Sequence, residues 1–523
     1  MFARFRRFLE THPSLRTAIR WSVPALLVGA LLRLLLLSYL PYAYWGSDSR
    51  SYYSFANMLL GEGYVSLDEK RRFLYPILMV PVSLLPGLPP LQWLALAQHA
   101  FGLATIVPLA YVARRSFVTW KAWIVPITLI YAGTPMFIWY EHELLGETVF
   151  FGLLVWAFAG WCAWINETRP ERARRLFWLF FIPLALFLLT KPSGRFVWPG
   201  IAVGLLATGA WRRLDWRRWA SLAALVAATL AVGSSKQGAW LLYVASFPLT
   251  QLDTPKHAEL KAEARPLVEP LRRDAEAYYA LDDLPFDFLE KPSRHPGFPQ
   301  WHALHKDPRK KAAVYLELAK EGILAEPLLF LYFGAQRVVA SANQSNFKLS
   351  RFESARVVER SLNDYREAER KPGHALRRLL ALPREGALPP ADDFARRIAP
   401  RPGSWMERAF LDYATAFQSA ADLVRIEERG TPAERSIRHA RPTFLGGWLL
   451  VAMALSVAMH SYRPVLGVWA VIAVGYLFGV FLFSQLNPRY FGPALPIFIV
   501  LLGVPVDALV SAFRRRRAHA PST

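Results

Sequence analysis

Long apolar runs separated by short basic segments dominate the pattern of this chain. A run of about 20 apolar residues is long enough to cross roughly 30 Å of hydrocarbon as a helix. We therefore predict about ten transmembrane helices, near residues 22–42, 92–113, 122–139, 144–165, 176–190, 196–211, 219–235, 443–460, 464–484 and 491–512.

The basic residues between these runs predict the orientation of the chain. Lys and Arg are retained on the cytoplasmic side of short connections. Most basic clusters fall on one side when the amino terminus is inside, at 114–121, 169–175, 212–218, 463 and 514–517. An even number of spans then places both termini in the cytoplasm.

The first outer loop, residues 43–91, contains two apolar segments that do not match a span. Residues 50–60 carry Tyr52, Phe55, Ala56, Leu59 and Leu60 on one helical face, which is typical of an interfacial amphipathic helix. The run 73–88 is apolar but interrupted by three prolines, so we interpret it as an interfacial or re-entrant element.

Residues 236–442 differ in character from the rest, because they are rich in charge and proline. Helical patterns at 258–280, 308–342, 351–370 and 404–428, with irregular linkers such as 383–403, predict an outer α-helical domain. The predicted fold class is therefore all-α and polytopic. We divide the chain into an amino-terminal transmembrane catalytic module (1–235), the outer domain (236–442) and carboxy-terminal transmembrane helices with a basic cytoplasmic tail (443–523).

Composition excludes several other classes of protein. Hydrophobic residues make up 54% of the chain and the mean hydropathy is +0.20, which excludes an ordinary soluble protein. The formal charge of +22 resides largely at the ends of apolar runs, where it fixes orientation and meets anionic lipid, so we predict no nucleic-acid binding. The single cysteine, Cys162, excludes a disulfide framework.

Acidic and basic residues converge on the predicted outer face. They are Asp48, Lys70, Arg71, Arg72, Tyr75, Glu141, His142, Glu143, Glu147, Lys191, Arg195 and Arg489. Ionisable groups at a membrane interface are costly and usually mark a water-filled site. Both signs of charge suit a transfer in which a carboxylate removes a hydroxyl proton while cations hold a departing lipid phosphate.

Each of these residues also has a simpler structural interpretation. Asp48 is suitably placed to cap the helix that follows it, and Lys70–Arg72 is typical of a headgroup-binding cluster. Glu143 and Glu147 share a helical face and are candidates for ion pairs with Arg195 or Lys191, and Arg33 is a candidate for a buried ion pair. Tyr52 and the pair Arg489–Tyr490 are typical interfacial anchors.

Several segments, in their order and spacing, resemble the GT-C superfamily of membrane glycosyltransferases. Within it, they are most similar to the family 39 group of protein mannosyltransferases and the aminoarabinose transferase. Asp48 with Tyr52 and the helix end Ala56–Gly61 resembles the first outer-loop motif of that group. Arg72–Leu78 resembles its Arg-Pro-Pro-Leu-Tyr-Pro motif, although Phe73 and Leu74 replace the two prolines. Later landmarks are at 98–102, 143–147, 190–192 and 489–496.

The resemblance implies an inverting glycosyltransferase that uses a polyprenyl-phosphate-linked sugar donor. It implies that Asp48 is the catalytic residue, and that Arg72, Lys191, Tyr75 and Arg489 bind the donor phosphate. Tyr52, Glu143, Glu147 and Arg195 are the expected substrate-lining residues. Ser49 follows Asp48 where the mannosyltransferases have a second acid. We expect no metal, with a divalent cation as the alternative.

The expected partners are the lipid-linked donor, membrane lipid, and a lipid, protein or polysaccharide acceptor. The expected location is the plasma or inner membrane, with the active site on the periplasmic or extracytoplasmic side and a role in cell envelope glycosylation. The rival functions are a lipid flippase or transporter, a related oligosaccharide ligase or polymerase, and a non-catalytic scaffold.

Overall fold

The fold was analysed in a computed structural model of the chain. The structure describes residues 13–45, 49, 52–53, 56, 59, 74–117, 123–231, 242, 246, 249–273, 284–285, 308–341, 349–370, 375–382, 386–429, 436–482 and 491–518.

The described residues of the amino-terminal part form nine α-helices. They are α1 (Pro13–Tyr39), α2 (Leu74–Ser83), α3 (Pro90–Ser116), α4 (Ile124–Gly133), α5 (Pro135–His142), α6 (Glu147–Ile165), α7 (Pro170–Thr190), α8 (Trp198–Ala207) and α9 (Trp216–Ala231). Short 3-10 helices at Pro192–Val197 and Ala210–Arg213 flank α8.

The remaining elements include a small sheet as well as helices. The helices are α10 (Ala258–Arg273), α11 (Pro308–Ala325), α12 (Pro327–Ser341), α13 (Ser354–Arg370), α14 (Ala375–Leu379), α15 (Ala391–Ile398), α16 (Trp405–Ala421), α17 (Phe444–Ala458), α18 (Val468–Leu482), α19 (Leu495–Leu501) and α20 (Val504–Ala518). The strands are β1 (Leu284–Pro285), β2 (Val424–Arg429) and β3 (Ser436–Pro442), and a 3-10 helix covers Leu349–Phe352.

Six helical segments within the described residues are long and apolar enough to cross a membrane. They are Pro13–Tyr39, Pro90–Ser116, Glu147–Ile165, Pro170–Thr190, Arg463–Phe481 and Leu495–Arg515. Shorter apolar helices occupy Leu74–Ser83, Ile124–Gly133 and Phe444–Ala458. The chain is thus an integral, multi-pass helical membrane protein.

One of the ten predicted spans, near 196–211, forms a shorter helix than the sequence pattern indicates. The apolar run near 196–211 forms α8, which has only 10 residues, and the run near 219–235 forms α9, which has 16 described residues. Gly209 adopts a positive φ of 66° after α8. Because that backbone conformation suits glycine, the helix ends there and a 3-10 turn follows.

The predicted span near 122–139 is interrupted in the structure. Helix α4 ends at Gly133, Thr134 is extended, and α5 begins with Pro135 at its first position. Proline cannot donate an amide hydrogen bond inside a helix but is well suited to its first turn. Pro135 therefore explains the break, and α4 and α5 are two separate helices.

The first outer loop is described only in part. Ser49, Tyr52, Tyr53, Ala56 and Leu59 are helical, and the last four agree with the helix predicted for 50–60, whose interfacial position stays a prediction. The first four of them are buried, whereas Leu59 is exposed. The proline-rich run beyond it forms helix α2, which contains Pro81.

The 236–442 insertion is mainly helical, as the sequence predicts. Helices α10 to α13 and α16 fall within the predicted helical patterns, and α15 lies in the linker 383–403 that was expected to be irregular. The three strands form an antiparallel sheet in the order β1-β3-β2. The insertion therefore adds a small sheet to its helices, and β3, which pairs with β2, leads directly into α17.

Aromatic contacts attach the insertion to the membrane helices. The Phe410 ring on α16 lies 6.4 Å from that of Tyr39, at the end of α1. The Phe352 ring packs edge-on against Trp139 at 5.2 Å, and the Phe394 ring lies 6.2 Å from Trp45. These contacts all lie near one end of the bundle, around residues 39–45 and 135–147.

Candidate active site

A buried ion pair joins α1 to α5 at this end of the bundle. Arg33 donates from Nε and Nη2 to the two carboxylate oxygens of Glu141, each at 2.5 Å. Its Nη1 donates to the carbonyls of Gly29 and Ala132, each at 3.0 Å. Both side chains are almost fully buried. Arg33 is therefore an ion-pair residue, in agreement with its simpler structural interpretation.

The ion pair continues into two stacked histidines. His99 Nδ1 lies 3.0 Å from Glu141 Oε2, and His99 Nε2 lies 3.4 Å from His142 Nδ1. Gly102, one turn after His99 on α3, has no side chain and so leaves space for the Glu141 carboxylate. A Cβ at Gly102 would lie only 2.0 Å from Glu141 Oε1.

Gln98 fixes the chain that follows α5. Its side-chain Nε2 donates to the carbonyls of Glu141 and Glu143, at 2.8 and 2.9 Å. Its Oε1 accepts a hydrogen bond from the Tyr75 hydroxyl. One buried amide therefore makes three hydrogen bonds, and it links α2, α3 and the end of α5.

Residues 142–144 also pair with the backbone of the first outer loop. Tyr44 and Glu143 form a parallel β-bridge. The Tyr44 N–H donates to the His142 carbonyl at 2.8 Å, and the Leu144 N–H donates to the Tyr44 carbonyl at 2.7 Å. Tyr44 therefore binds the backbone of His142 and Leu144, and the Gln98 amide binds the carbonyls of Glu141 and Glu143. The backbone groups of residues 141–144 thus alternate between these two partners.

The acidic residues of this segment have specific neighbours. The Trp139 indole N–H donates to Glu143 Oε2 at 2.7 Å. Lys191 donates to Glu147 Oε1, so the predicted ion pair joins α6 to the residue that ends α7. Both glutamates are buried.

Tyrosine side chains connect this ion pair to the Gln98 network. The rings of Tyr52 and Tyr75 meet edge-on, with centroids 5.2 Å apart. A Cβ added to Gly146 would lie 3.5 Å from Tyr75 Cβ and 3.6 Å from the Tyr52 hydroxyl. Tyr52, Tyr75, Glu143, Glu147 and Lys191 therefore lie in one polar cluster.

Arg195 lies on the 3-10 helix that follows Lys191. Its guanidinium carbon lies 5.4 Å from the centroid of the Phe196 ring, and burial lowers the pKa of Arg195. The substrate-lining role of Arg195 stays a prediction.

Three predicted site residues lie outside the described residues, namely Asp48, Arg72 and Arg489. Among those described, the structure brings together Tyr52, Tyr75, Glu143, Glu147 and Lys191. Sequence reasoning did not assign site roles to Gln98, His99 and Trp139. The resemblance motif at 98–102 includes Gln98 and His99. A further signal, shared with Trp139, is that polar and indole groups recur in strongly apolar helices, where each needs a hydrogen-bond partner.

The described residues contain no group of three or more His, Cys, Asp and Glu side chains arranged to hold a metal ion. The acids near the site are instead engaged by cations and N–H donors. Glu141 binds Arg33 and His99, Glu147 binds Lys191, and Glu143 accepts from Trp139.

No family model matches this sequence, and no curated protein matches it. Similar solved structures do exist. One is the archaeal oligosaccharyltransferase AglB from Archaeoglobus fulgidus in complex with an inhibitory peptide and a dolichol-phosphate. It is 14% identical, with a TM-score of 0.39, over 96% of this chain and 52% of that one.

The apo form of the Archaeoglobus fulgidus enzyme is also 14% identical, with a TM-score of 0.39, over 95% of this chain and 52% of that one. The chain thus spans about half the length of these oligosaccharyltransferases. ArnT from Cupriavidus metallidurans bound to undecaprenyl phosphate is 16% identical, with a TM-score of 0.32, over 94% of this chain and 78% of that one.

Proposed function

We propose that this protein is an inverting glycosyltransferase that moves a sugar from a polyprenyl-phosphate-linked donor to an acceptor hydroxyl on the outer face of the membrane. The observation that carries the proposal is the polar cluster at one end of an apolar helix bundle. It combines carboxylates, a lysine and tyrosines, next to the chain segment that leads to Asp48.

Tyr44 is the described residue that contacts this cluster and lies close to Asp48 in the sequence. It pairs with His142 and Leu144, and it precedes Asp48 by four residues in the sequence. Trp45 and Ser49, on either side of Asp48, are both buried. Because the chain is paired or buried both before and after Asp48, we place the Asp48 carboxylate in the same proposed site as Glu143.

In the proposed reaction, the Asp48 carboxylate accepts the proton of the acceptor hydroxyl. The hydroxyl oxygen then bonds to the anomeric carbon, and the bond from that carbon to the phosphate oxygen breaks. The electron pair leaves with the lipid phosphate, and the anomeric configuration inverts. A phosphate is a good leaving group, so one general base and cationic stabilisation of the phosphate suffice.

Arg72, Lys191, Tyr75 and Arg489 bind the donor phosphate in this proposal. Lys191 already contacts Glu147, so the phosphate would share the ammonium group with that carboxylate. Tyr52, Glu143, Glu147 and Arg195 line the sugar and acceptor sites. The Trp139 hydrogen bond holds one Glu143 oxygen at a fixed position, which suits a group that orients a sugar hydroxyl.

A transporter needs an ionisable group available near the middle of the membrane, and Arg33 lies near the middle of the first predicted span, 22–42. Arg33 makes four hydrogen bonds, two of them to Glu141, and is 1% exposed. Its charge is therefore used to hold α1, α4 and α5 together. This favours the transferase over the transporter.

The test is transfer of a labelled sugar from undecaprenyl-phosphate-linked donors in proteoliposomes containing the purified protein. Asp48→Asn removes the basic carboxylate but keeps most of its capacity to cap a helix. We expect Asp48→Asn to reduce kcat by at least about 100-fold, the scale of general-base catalysis. Near-wild-type turnover by a folded Asp48→Asn protein would rule out this role.

Lys191 gives a second arm of the same experiment. Lys191→Gln would leave Glu147 without its ion-pair partner and remove one cation from the proposed phosphate site. We expect a raised KM for the lipid-linked donor. Comparison of extracted glycolipids, glycans and glycoproteins by mass spectrometry, with and without the gene, would then identify the acceptor.

A further inference from the structure

Three leucines of the insertion are exposed where α11 meets α12. Leu324 is 80% exposed, Leu328 is 79% exposed and Leu331 is 42% exposed. We call these three residues the leucine stripe. Large apolar side chains that are exposed together usually mark an interaction surface.

The helical hydrogen bonds place the leucine stripe on one face of this segment. The Glu326 N–H donates to the Gly322 carbonyl at 3.0 Å, and the Phe330 N–H donates to the Glu326 carbonyl at 3.1 Å. The helical pattern therefore continues across the boundary between α11 and α12, although Pro327 begins α12. Because the stripe residues follow one another at intervals of four and three positions, they are neighbours on a single helical face.

The opposite face of α12 packs against the membrane helices. Phe330 and Arg337 are buried, and Arg337 Nη1 donates to the Phe481 carbonyl at 3.0 Å. Phe481 lies in the last turn of α18, whose final carbonyls have no partner within the helix. It also ends the segment Arg463–Phe481, which is long and apolar enough to cross a membrane. Arg337 therefore attaches α12 at the level where a membrane helix ends.

This end of α18 is also the end near the polar cluster. A Cβ added to Gly479 would lie 2.7 Å from Cδ1 of Phe196, five residues after Lys191. Lys191 pairs with Glu147 in the polar cluster. The leucine stripe therefore lies at the membrane boundary on the predicted outer face.

We propose that the leucine stripe docks onto phospholipid of the leaflet next to the polar cluster, and that it holds the insertion against the membrane surface. An amphipathic helix at this level lies with its apolar face at the boundary between headgroups and acyl chains. Lys320 is exposed one turn before Leu324. Its ammonium group can reach a lipid phosphate while its stem covers apolar surface. The proposal does not depend on the proposed function.

The test measures whether a fluorophore on the leucine stripe contacts lipid or water. Leu328→Cys is labelled with an environment-sensitive fluorophore and placed in phospholipid nanodiscs, since Cys162 is buried. Phospholipid with a nitroxide near the glycerol end of its acyl chain quenches from the lipid, and iodide quenches from water. Two controls are labelled in the same way. Leu34→Cys is on the membrane helix α1, where Leu34 is 63% exposed, and Ala355→Cys is at an exposed position of α13.

We expect the nitroxide lipid to quench position 328 about as strongly as position 34, and at least about twofold more strongly than position 355, because an interfacial apolar face contacts the upper acyl chain. Iodide should quench position 355 most. If iodide quenched position 328 as strongly as position 355, the leucine stripe would face water and the proposal would be wrong.

Protection of position 328 from both quenchers would also overturn the proposal. It would mean that a protein surface, such as a second copy of this chain, covers the leucine stripe. Leu324→Cys provides a second labelled position if the Leu328→Cys protein does not fold. We expect it to be quenched by the nitroxide lipid as well, since both leucines share one face.

Discussion

At the scale of single residues, the Arg33–Glu141 pair is a buried contact that joins α1 to α5. Both side chains are buried, and removal of one partner from a buried pair leaves an uncompensated charge. We expect Arg33→Met to lower the free energy of unfolding by about 3–5 kcal/mol. Thermal unfolding in detergent, followed by circular dichroism, measures the loss.

A double variant separates the charge from the packing of this pair. In Arg33→Met with Glu141→Gln, no net charge is buried and the amide oxygen still accepts from His99. We therefore expect the double variant to be more stable than Arg33→Met alone. Arg396→Met serves as the control, because an exposed pair contributes at most about 1 kcal/mol. A double variant less stable than the single one would contradict this account.

Gln98 offers a second prediction at the residue scale. Gln98→Met keeps the volume but removes the Gln98 hydrogen bonds to the carbonyls of Glu141 and Glu143 and to the Tyr75 hydroxyl, while the Glu143 carbonyl keeps its bond from the Leu145 N–H. We expect a loss of about 2–4 kcal/mol, and about 1 kcal/mol for Tyr75→Phe, which breaks only one of the three bonds. Urea or thermal unfolding would measure both.

Gln92, on the first turn of the same helix, provides the matched control. Its side chain is only half-buried, so we expect Gln92→Met to change stability by less than about 0.5 kcal/mol. Equal losses for Gln98→Met and Gln92→Met would mean that the three hydrogen bonds contribute nothing specific.

At the scale of elements, the helix pair α10 and α11 has its own small apolar core. Its buried residues are Leu252, Leu260, Ala264, Val268, Tyr315, Leu318 and Ala319. At its edge, His257 and Lys256 hold the pKa of Glu317 below its usual value. Burial raises the pKa of Glu321, but hydrogen bonds from Lys261 and Thr254 outweigh burial and lower it.

These lowered values predict that acid loosens the α10–α11 pair. A carboxyl whose pKa is depressed on folding stabilises the fold above its unfolded pKa, and that stability is lost as the pH falls through the folded value. Hydrogen exchange of 258–273 and 313–325, corrected for intrinsic rates, should therefore accelerate between pH 5 and about pH 3.5.

Replacement of both carboxylates removes this pH dependence. We expect Glu317→Gln with Glu321→Gln to exchange faster at pH 7 and to change little on acidification. Glu259→Gln, at an exposed glutamate on α10, should retain the wild-type profile. If hydrogen exchange in the double variant still accelerated at low pH as in the wild type, groups other than Glu317 and Glu321 would cause the acceleration.

The elements were predictable from sequence to the extent that local pattern determines them. Apolar runs of membrane length predicted α1, α3, α6 and α7, because the length and composition of a span are local properties of the sequence. Pro135 is apparent in the sequence, but its presence alone does not predict that the span divides into two helices. Proline is also tolerated within spans such as α3, which contains Pro108. The sheet went unpredicted because its strands are short and charged.

The polar cluster was predictable only as a set of residue types at the ends of spans. The charge pattern placed Glu143, Glu147 and Lys191 on one side of the membrane, and two of them do pair. The specific partners were not readable, because Arg33 and Glu141 are 108 residues apart in sequence. Contacts over such separations depend on helix packing, which periodicity does not specify.

At the scale of the whole molecule, the sidedness of the membrane is the property that connects the fold to the proposed function. Cys162, the single cysteine, is fully buried in α6, so thiols introduced elsewhere can be labelled against a silent background. Thr168 is exposed between α6 and α7, and Ala355 is exposed on α13 of the insertion. These two positions report opposite sides of the predicted topology.

In intact cells or right-side-out vesicles, we expect a membrane-impermeant maleimide to label Ala355→Cys and not Thr168→Cys. After permeabilisation, we expect it to label both variants. The wild type should remain unlabelled under both conditions. The reason is that Lys and Arg in short connections, such as 169–175, are retained in the cytoplasm. Because Phe352 and Phe394 contact Trp139 and Trp45, the side that exposes Ala355 is also the side of the polar cluster. Labelling of Thr168→Cys alone would invert the topology and place the cluster on the cytoplasmic face.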